Sequence, residues 1–159
     1  MAFQIVQAKP EDAEVVAALV GELLHEIMAV LNEQAFRFHH DETVIRARSW
    51  LKDGVYTVLL VREEAGAEPV GFLALYQSYA LYTEGVYGTI PEFFVRPVHR
   101  SKGVGAALLE QARLLGRSRG WRRLEVTTPP LPQFDRTLAF YQREGFSISG
   151  GRKLKLELR

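Results

Sequence analysis

Apolar residues recur at steps of three and four along four stretches of this chain, which is the pattern of amphipathic helices packed on a core. The first stretch follows Pro10, Glu11 and Asp12, a proline and two acids that favour the start of a helix. Gly54 and Gly120 follow the second and third stretches, and glycine commonly ends a helix. We therefore predict helices at residues 11–30, 41–51, 103–119 and 135–144.

Other stretches are rich in β-branched and aromatic residues, which is typical of strands. Gly150 and Gly151 separate the last two of these stretches and favour a closing hairpin. The predicted strands cover residues 3–8, 56–61, 70–76, 87–95, 123–127, 146–149 and 153–158. This order of elements predicts one α/β (α+β) domain over residues 1–159, with a mixed, mostly antiparallel sheet of about seven strands flanked by about four helices.

The composition narrows the chemistry that is open to the chain. Its 159 residues include no cysteine, which excludes disulfides, thiolate metal sites and a cysteine nucleophile. The 20 basic and 19 acidic side chains leave a net charge of +1, so neither nucleic acid nor a membrane is an expected partner. No run of about 18 apolar residues and no secretory signal pattern occurs, and we expect a cytoplasmic protein. The four histidines follow no metal-ligand spacing, so no metal site is expected.

The segment 95–109 is predicted to lead from a strand through a short loop into a helix. Gly103 and Gly105 let the backbone come close to a ligand, and the first N–H groups of the helix have no carbonyl to bond. Arg100 and Lys102 add positive charge, so the segment suits a pyrophosphate. The alternative is a plain helix start with two solvated cations. The Walker and dinucleotide-binding patterns both fail at the residues after Gly105.

Arg100, Gly103 and Gly105 have the spacing of the acyl-CoA-binding motif of the GNAT N-acetyltransferases, which this segment resembles. Residues 91–95 resemble the fourth strand of that family, and residues 138–146, LAFYQREGF, resemble its tyrosine-centred motif of a helix and a turn. The order of elements agrees as well, so the resemblance covers almost the entire chain. The aromatic run at 71–95 is most similar to the diamine and polyamine N-acetyltransferase branch.

The resemblance implies acetyl-CoA as the acyl donor and no metal. It implies that the main chain of Phe93, Phe94 and Val95 pairs with the pantetheine arm like an added strand. It also implies that backbone N–H groups of the loop and helix start receive the pyrophosphate, with Arg100 nearby. The residues concerned are Ser101, Lys102, Gly103, Val104, Gly105 and Ala106. Ser101 departs from the family pattern, in which glycine is common, and a positive φ there would be costly for serine.

Two residues are candidates for the catalytic roles of the family. Tyr141 matches the tyrosine that protonates the departing CoA thiolate, and a phenol pKa of about 10 keeps it protonated at neutral pH. Glu92 is the candidate base that takes a proton from the acceptor ammonium, although relatives carry the acid one place earlier, where this chain has Pro91. The alternatives are a core tyrosine and a structural carboxylate. The family's asparagine seven residues before the tyrosine is Phe134 here, so that cofactor contact is not carried over.

The resemblance implies direct transfer of an acetyl group from acetyl-CoA to a primary amine in a ternary complex, with a small amine or a polyamine as acceptor. Acetylation of a peptide, protein or aminoacyl amine is the alternative within enzymes, and a non-catalytic acyl-CoA-binding module is the alternative outside them. Leu154, Leu156 and Leu158 alternate in the last predicted strand and favour a homodimer through the closing hairpin or edge strands. Core packing explains these leucines as well.

Overall fold

The computed structural model describes residues 3–158, and all four predicted helices are present in it. They are α1 (Ala13–Leu31), α2 (His40–Asp53), α3 (Val104–Ser118) and α4 (Asp135–Arg143). Helix α1 ends at Asn32 and α2 at Gly54, both in the left-handed backbone conformation that closes helices. None of the helices within residues 3–158 has the length and apolar character needed to cross a bilayer.

Six strands form one sheet within the described residues. They are β1 (Gln4–Gln7), β2 (Thr57–Arg62), β3 (Gly71–Ala80), β4 (Gly85–Ile90), β5 (Phe93–Val95) and β6 (Leu124–Val126). Their order is β1-β2-β3-β4-β6, and β5 pairs with β3 beyond the end of β4. The pair β4–β6 is parallel and the other pairs are antiparallel. The structure confirms the predicted mixed, mostly antiparallel sheet, with six strands against about seven predicted.

Helices cover both faces of the sheet, which explains why β2 is buried on both sides. Val58 and Phe72 pack with Leu19 of α1 on one face. Leu59 packs with Leu108 of α3 on the other face. Alternate residues of one strand therefore belong to two separate parts of the core, as the two-residue period of a strand requires. We refer to these as the α1 face and the α3 face.

The predicted strand at 87–95 is divided into β4 and β5 around Pro91. Proline has no N–H and cannot continue a hydrogen-bonded ladder on both sides. Thr89 of β4 lies opposite Tyr76, whereas Phe93 of β5 lies opposite Leu73, so one extra residue bulges out between the two pairings. This interruption places Glu92 at the point where the sheet opens.

The closing hairpin predicted at residues 146–149 and 153–158 is wrong, because the structure contains no strand there. Leu154, Leu156 and Leu158 are 88%, 85% and 90% exposed. A strand needs a hydrogen-bonding neighbour, and within residues 3–158 the only strand paired with β6 is β4. The alternation of leucines therefore produces an extended segment that does not join the sheet of its own chain.

Candidate active site

The sheet opens between β5 and β6. Strands β4 and β6 stay paired as far as Ile90 and Val126, and β5 then pairs with β3 alone among the described residues. The main chain of Glu92 and Arg96, two residues before and after Phe94, is directed toward β3. The N–H of Ala74 donates to the Glu92 carbonyl, and the N–H of Arg96 donates to the Val70 carbonyl. The main chain of Phe94 is therefore directed toward β3 as well. Hydrogen-bonding directions alternate along a strand.

Phe93 and Val95 therefore turn their main-chain groups to the open edge of β5. Of the three residues expected to pair with the pantetheine arm, the structure brings Phe93 and Val95 to this edge and directs the main chain of Phe94 toward β3. The Val95 carbonyl already accepts a hydrogen bond from the Arg100 side chain, at 2.7 Å. The edge thus offers the Phe93 N–H and carbonyl and the Val95 N–H to an extended ligand.

A cluster of unbonded N–H groups lies at the start of α3, close to β5 in the chain. The first helical hydrogen bond runs from Ala107 N–H to the Gly103 carbonyl, at 3.0 Å. The N–H groups of Val104, Gly105 and Ala106 consequently have no carbonyl partner within the helix. They point along the helix axis at its positive end, which is the arrangement that binds phosphate groups.

The two glycines of this loop are required for different reasons. Gly103 has φ +84°, and no atom lies within 4 Å of the position that a Cβ would take, so its role is conformational. A Cβ on Gly105 would lie 3.0 Å from Cζ of Phe140, so here the absence of a side chain allows α4 to pack against the start of α3. Ser101 has φ +63°, the conformation anticipated as costly for serine at this position.

The side chain of Arg100 is engaged within the protein. Its guanidinium donates to both carboxylate oxygens of Glu26 in α1, at 2.8 and 2.9 Å, and lies 5.6 Å from the ring centre of Phe94. Arg100 therefore fastens the loop to α1, and its charge is shared with Glu26. Lys102, in contrast, is exposed. Sequence reasoning missed the role of Glu26, because an ion pair between residues this far apart leaves no local signal.

Tyr141 lies on the α3 face, among aromatic rings. Its ring centre is 6.2 Å from that of Phe93, 5.6 Å from Phe140 and 5.4 Å from Phe146, and the residue is 6% exposed. Burial raises the pKa of the Tyr141 hydroxyl above its ordinary value. The phenol therefore remains a proton donor throughout the neutral range. Tyr141 stands beside Phe93 of β5.

Glu92 lies at the opening of the sheet, and its side chain extends to the α1 face. Burial raises the pKa of its carboxyl group, and a hydrogen bond from the Tyr56 hydroxyl to Oε1 acts in the opposite direction. Glu92 and Tyr141 are thus placed on either side of Phe93, one on each face of the sheet.

Tyr56, which donates to the Glu92 carboxylate, lies between two further aromatic rings, those of Trp50 and Tyr76. Sequence reasoning assigned no site role to Trp50 or Tyr56. The ring centres of Trp50 and Tyr56 are 5.3 Å apart, and those of Tyr56 and Tyr76 are 6.3 Å apart with the planes at 15°. Trp50 belongs to α2, Tyr56 precedes β2 and Tyr76 belongs to β3, so only the fold brings them together. The sequence signal that could have found Tyr56 is its place two residues before Val58, on the same face of the extended chain.

No group of three or more His, Asp or Glu side chains in residues 3–158 is arranged to hold a metal ion.

Comparison with known proteins adds two findings. Residues 54–148 match a family model described as an acetyltransferase (GNAT) domain, and this range includes β2 to α4 with every candidate site residue. No curated protein sequence is significantly similar to the chain. The family match rests on the part of the fold that contains both the open sheet edge and the start of α3.

Solved structures resemble the chain over nearly its whole length. An integron cassette protein from the mobile metagenome of Cole Harbour Salt Marsh is 28% identical, with a TM-score of 0.79, over 98% of this chain and 91% of that chain. A ribosomal-protein-alanine N-acetyltransferase from Brucella melitensis biovar Abortus is 21% identical, with a TM-score of 0.70, over 98% and 100%. An aminoglycoside N-acetyltransferase in complex with CoA is 16% identical, with a TM-score of 0.77, over 98% and 95%. Because the last two structures are 21% and 16% identical to this chain, their likeness shows a shared fold.

Proposed function

This chain belongs to the GNAT acetyltransferase family, and we propose that it acetylates a small primary amine or a polyamine. Membership makes it an acetyl-CoA-dependent acyltransferase, and a structural neighbour of the same fold contains CoA. The acceptor amine and the residues that act on it are the subject of the proposal. The observation that carries it is the placement of Glu92 and Tyr141 on opposite sides of Phe93, at the open edge of β5.

In the proposed complex, the open edge of β5 binds the pantetheine arm and the start of α3 binds the pyrophosphate. Phe93 and Val95 supply main-chain groups for two or three hydrogen bonds to the amides of the arm. The pyrophosphate lies on the N–H groups of Ser101, Lys102, Gly103, Val104, Gly105 and Ala106. Lys102 supplies an exposed positive charge nearby, whereas Arg100 contributes by holding the loop on α1.

The proposed reaction is a direct transfer assisted by proton movements at Glu92 and Tyr141. Glu92 accepts a proton from the acceptor ammonium, because a primary alkylamine with a pKa of about 10.4 arrives charged at neutral pH. The amine lone pair then forms a bond to the thioester carbonyl carbon, and the C–S bond breaks. Tyr141 donates its proton to the leaving thiolate and is reprotonated by the second proton that the attacking nitrogen loses on becoming an amide, while Glu92 returns its proton to solvent. The chain has no cysteine to carry an acetyl group, which favours one step over a covalent relay.

Aromatic rings beside a carboxylate support a cationic amine as the acceptor. Tyr56 contacts Glu92 through its hydroxyl, and the rings of Trp50 and Tyr76 pack against Tyr56. Aromatic rings of this kind attract ammonium groups. Amino groups of proteins, peptides and aminoacyl conjugates are also cationic, and they form the alternative acceptor class. A non-catalytic acyl-CoA-binding module is the alternative that involves no transfer.

The proposed function is tested by measuring thiol release from acetyl-CoA with polyamines, amino acids, aminoglycosides and alanine-terminated peptides as acceptors. We expect the highest kcat/KM with a small amine or polyamine. Preference for the peptides would overturn the acceptor class. Binding of acetyl-CoA without CoA release by any amine would overturn the enzymatic proposal in favour of the binding module.

The Tyr141→Phe variant tests the proposed acid. Loss of general acid catalysis should lower kcat about 100-fold, while the dissociation constant of acetyl-CoA, measured by calorimetry, stays within about threefold because the ring is retained. Tyr79→Phe is the matched control, since Tyr79 is 76% exposed and its hydroxyl contacts only Gln77 among the described residues. An unchanged kcat in Tyr141→Phe would assign Tyr141 to core packing.

We also propose that two copies of this chain associate through residues 153–158. The exposed leucines on one side of this extended segment and the unpaired outer edge of β6 support the proposal. When two such segments run antiparallel with Leu156 opposite Leu156, Lys155 of each lies opposite Glu157 of the other. A net charge of +1 leaves little repulsion between the copies.

A further inference from the structure

We propose that Tyr56 is a positioning residue, which holds one oxygen of the Glu92 carboxylate and so leaves the other oxygen to act as the base. This inference rests on the proposed function, because it assigns to Tyr56 a role that acts through Glu92. The residue itself touches neither the acetyl group nor the thiol in the proposed complex.

The hydrogen bond between these side chains distinguishes the two carboxylate oxygens. The Tyr56 hydroxyl donates to Oε1 of Glu92. No side chain within residues 3–158 donates to Oε2. A carboxylate held by one oxygen cannot rotate freely, so Oε2 keeps a constant direction relative to β5. The proton of an acceptor ammonium therefore meets the same oxygen in each catalytic cycle, which is the geometric condition for efficient proton transfer.

The Tyr56 ring is itself held from two sides. Trp50 of α2 lies at a ring-centre distance of 5.3 Å, and Tyr76 of β3 is stacked at 6.3 Å. These contacts restrict rotation of the Tyr56 ring and thereby fix the point from which its hydroxyl donates. The result is a continuous line of contacts from α2 through Tyr56 to Glu92, in which each member limits the motion of the next.

Burial has the largest effect on the pKa of Glu92, and the hydrogen bond from Tyr56 opposes it. Tyr56 is the titratable side chain that acts on the pKa of Glu92 among the described residues, and Tyr76 acts on Tyr56 in turn. From α1, which packs against β5, the carboxylate of Glu22 is paired with Arg96 at 2.8 Å, and that of Glu26 is paired with Arg100. Burial, and then the Glu92 charge, raise the pKa of Tyr56, so its hydroxyl remains a donor over the range in which Glu92 ionises.

The Tyr56→Phe variant removes the hydroxyl and retains the ring. Without this donor the ionised form of Glu92 loses a stabilising hydrogen bond, so the pKa of Glu92 should rise by about one unit. The acid limb of the kcat/KM profile, measured with the panel amine of highest kcat/KM, should move to higher pH by the same amount. Protonation of the amine affects all variants equally, so it does not contribute to the difference between their pH profiles. At a fixed pH on the acid limb, kcat should fall about tenfold while the KM for acetyl-CoA is unchanged.

A direct measurement keeps the inference testable without any acceptor. The side-chain carboxyl resonance of Glu92 is followed by NMR during a pH titration of the carbon-13 glutamate-labelled protein, and is assigned by its absence in Glu92→Gln. The resonance should titrate at higher pH in Tyr56→Phe than in the unsubstituted chain. Tyr79→Phe should leave both the resonance and the pH profile unchanged.

The outcomes separate this inference from the proposed function. If Tyr56→Phe lowers activity equally at all pH values and leaves the Glu92 resonance in place, Tyr56 has only a structural role and the inference fails. If Glu92→Gln retains full kcat and the acid limb, Glu92 is not the base and the proposed mechanism fails, whatever the resonance shows. Melting temperatures of the variants identify any loss of folding.

Discussion

At the scale of the residue, Glu92 shows how the chemistry of one side chain links stability to function. Burial raises the pKa of its carboxyl group in the folded chain, which means that folding disfavours the ionised form. The folded chain then holds this proton more tightly than the unfolded chain, whose glutamate pKa is about 4.3. The Glu92 carboxyl group therefore contributes to the free energy of unfolding at low pH. This contribution is lost as the pH rises from the unfolded pKa through the folded pKa.

The Glu92→Gln variant should consequently be more stable than the unsubstituted chain at neutral pH. Glutamine keeps an oxygen that can accept the Tyr56 hydrogen bond and carries no charge. The gain in melting temperature should grow from pH 4 to pH 8, as followed by circular dichroism. Glu33→Gln is the control, because Glu33 is exposed. A gain that is the same at every pH would show that the carboxyl group of Glu92 ionises without cost.

At the scale of the element, the start of α3 has two residues with left-handed backbone before the helix begins. Ser101 has φ +63° and Gly103 has φ +84°, and a residue with a Cβ in this conformation costs about 1 kcal/mol. Glycine avoids that cost at position 103, and serine does not at position 101. The strain lies in the loop that turns the N–H groups of α3 outward, so the same geometry that presents an anion site makes the loop locally unfavourable.

Two substitutions in this loop should change stability in opposite directions. Ser101→Gly should raise the free energy of unfolding by about 0.5 kcal/mol, and Gly103→Ala should lower it by about 1 kcal/mol. Gly103→Asn should cost less than Gly103→Ala, since asparagine tolerates this conformation better. Urea denaturation measures all three. A neutral Gly103→Ala would contradict the conformational role of this glycine, because no neighbouring atom offers another explanation.

At the scale of the whole molecule, the outer edge of β6 and the segment that follows α4 have no strand partner within residues 3–158. Strand β6 pairs with β4 on one side, and residues 146–153 line a groove of about 1090 Å³ together with β6, α3 and α4. The leucines beyond this groove face solvent. An unpaired strand edge next to an exposed apolar segment is an arrangement that association of two copies would cover.

The chain should therefore be a dimer at micromolar concentration in size-exclusion chromatography with light scattering. Leu156→Glu should convert it to a monomer, because a charge would be buried opposite its own copy. Lys153→Gln lies on the other side of the extended segment and should leave the dimer intact. A monomeric unsubstituted chain, or a dimer that persists in Leu156→Glu, would overturn the proposed association.

The hydrophobic pattern by itself determined the four helices and most of the sheet, and it determined the order of elements apart from the break at Pro91 and the closing hairpin. These features follow from periodicity along the chain, which depends on neighbouring residues alone. The glycine and tyrosine motifs likewise identified the family, and the family model confirms it. The left-handed turn at Gly103 is also a local feature, because glycine adopts this conformation at no steric cost.

Only the tertiary structure decided features that depend on residues far apart in the chain. The predicted closing hairpin does not form, because alternating leucines form a strand only where they can hydrogen-bond to the edge of a sheet. The tertiary structure paired Arg100 with Glu26, and it gave Gly105 a packing role against Phe140. It also brought Tyr56 to Glu92 from 36 positions away. Hydrogen bonds and ion pairs of this kind are set by the meeting of elements in space, so no local pattern in the sequence records them.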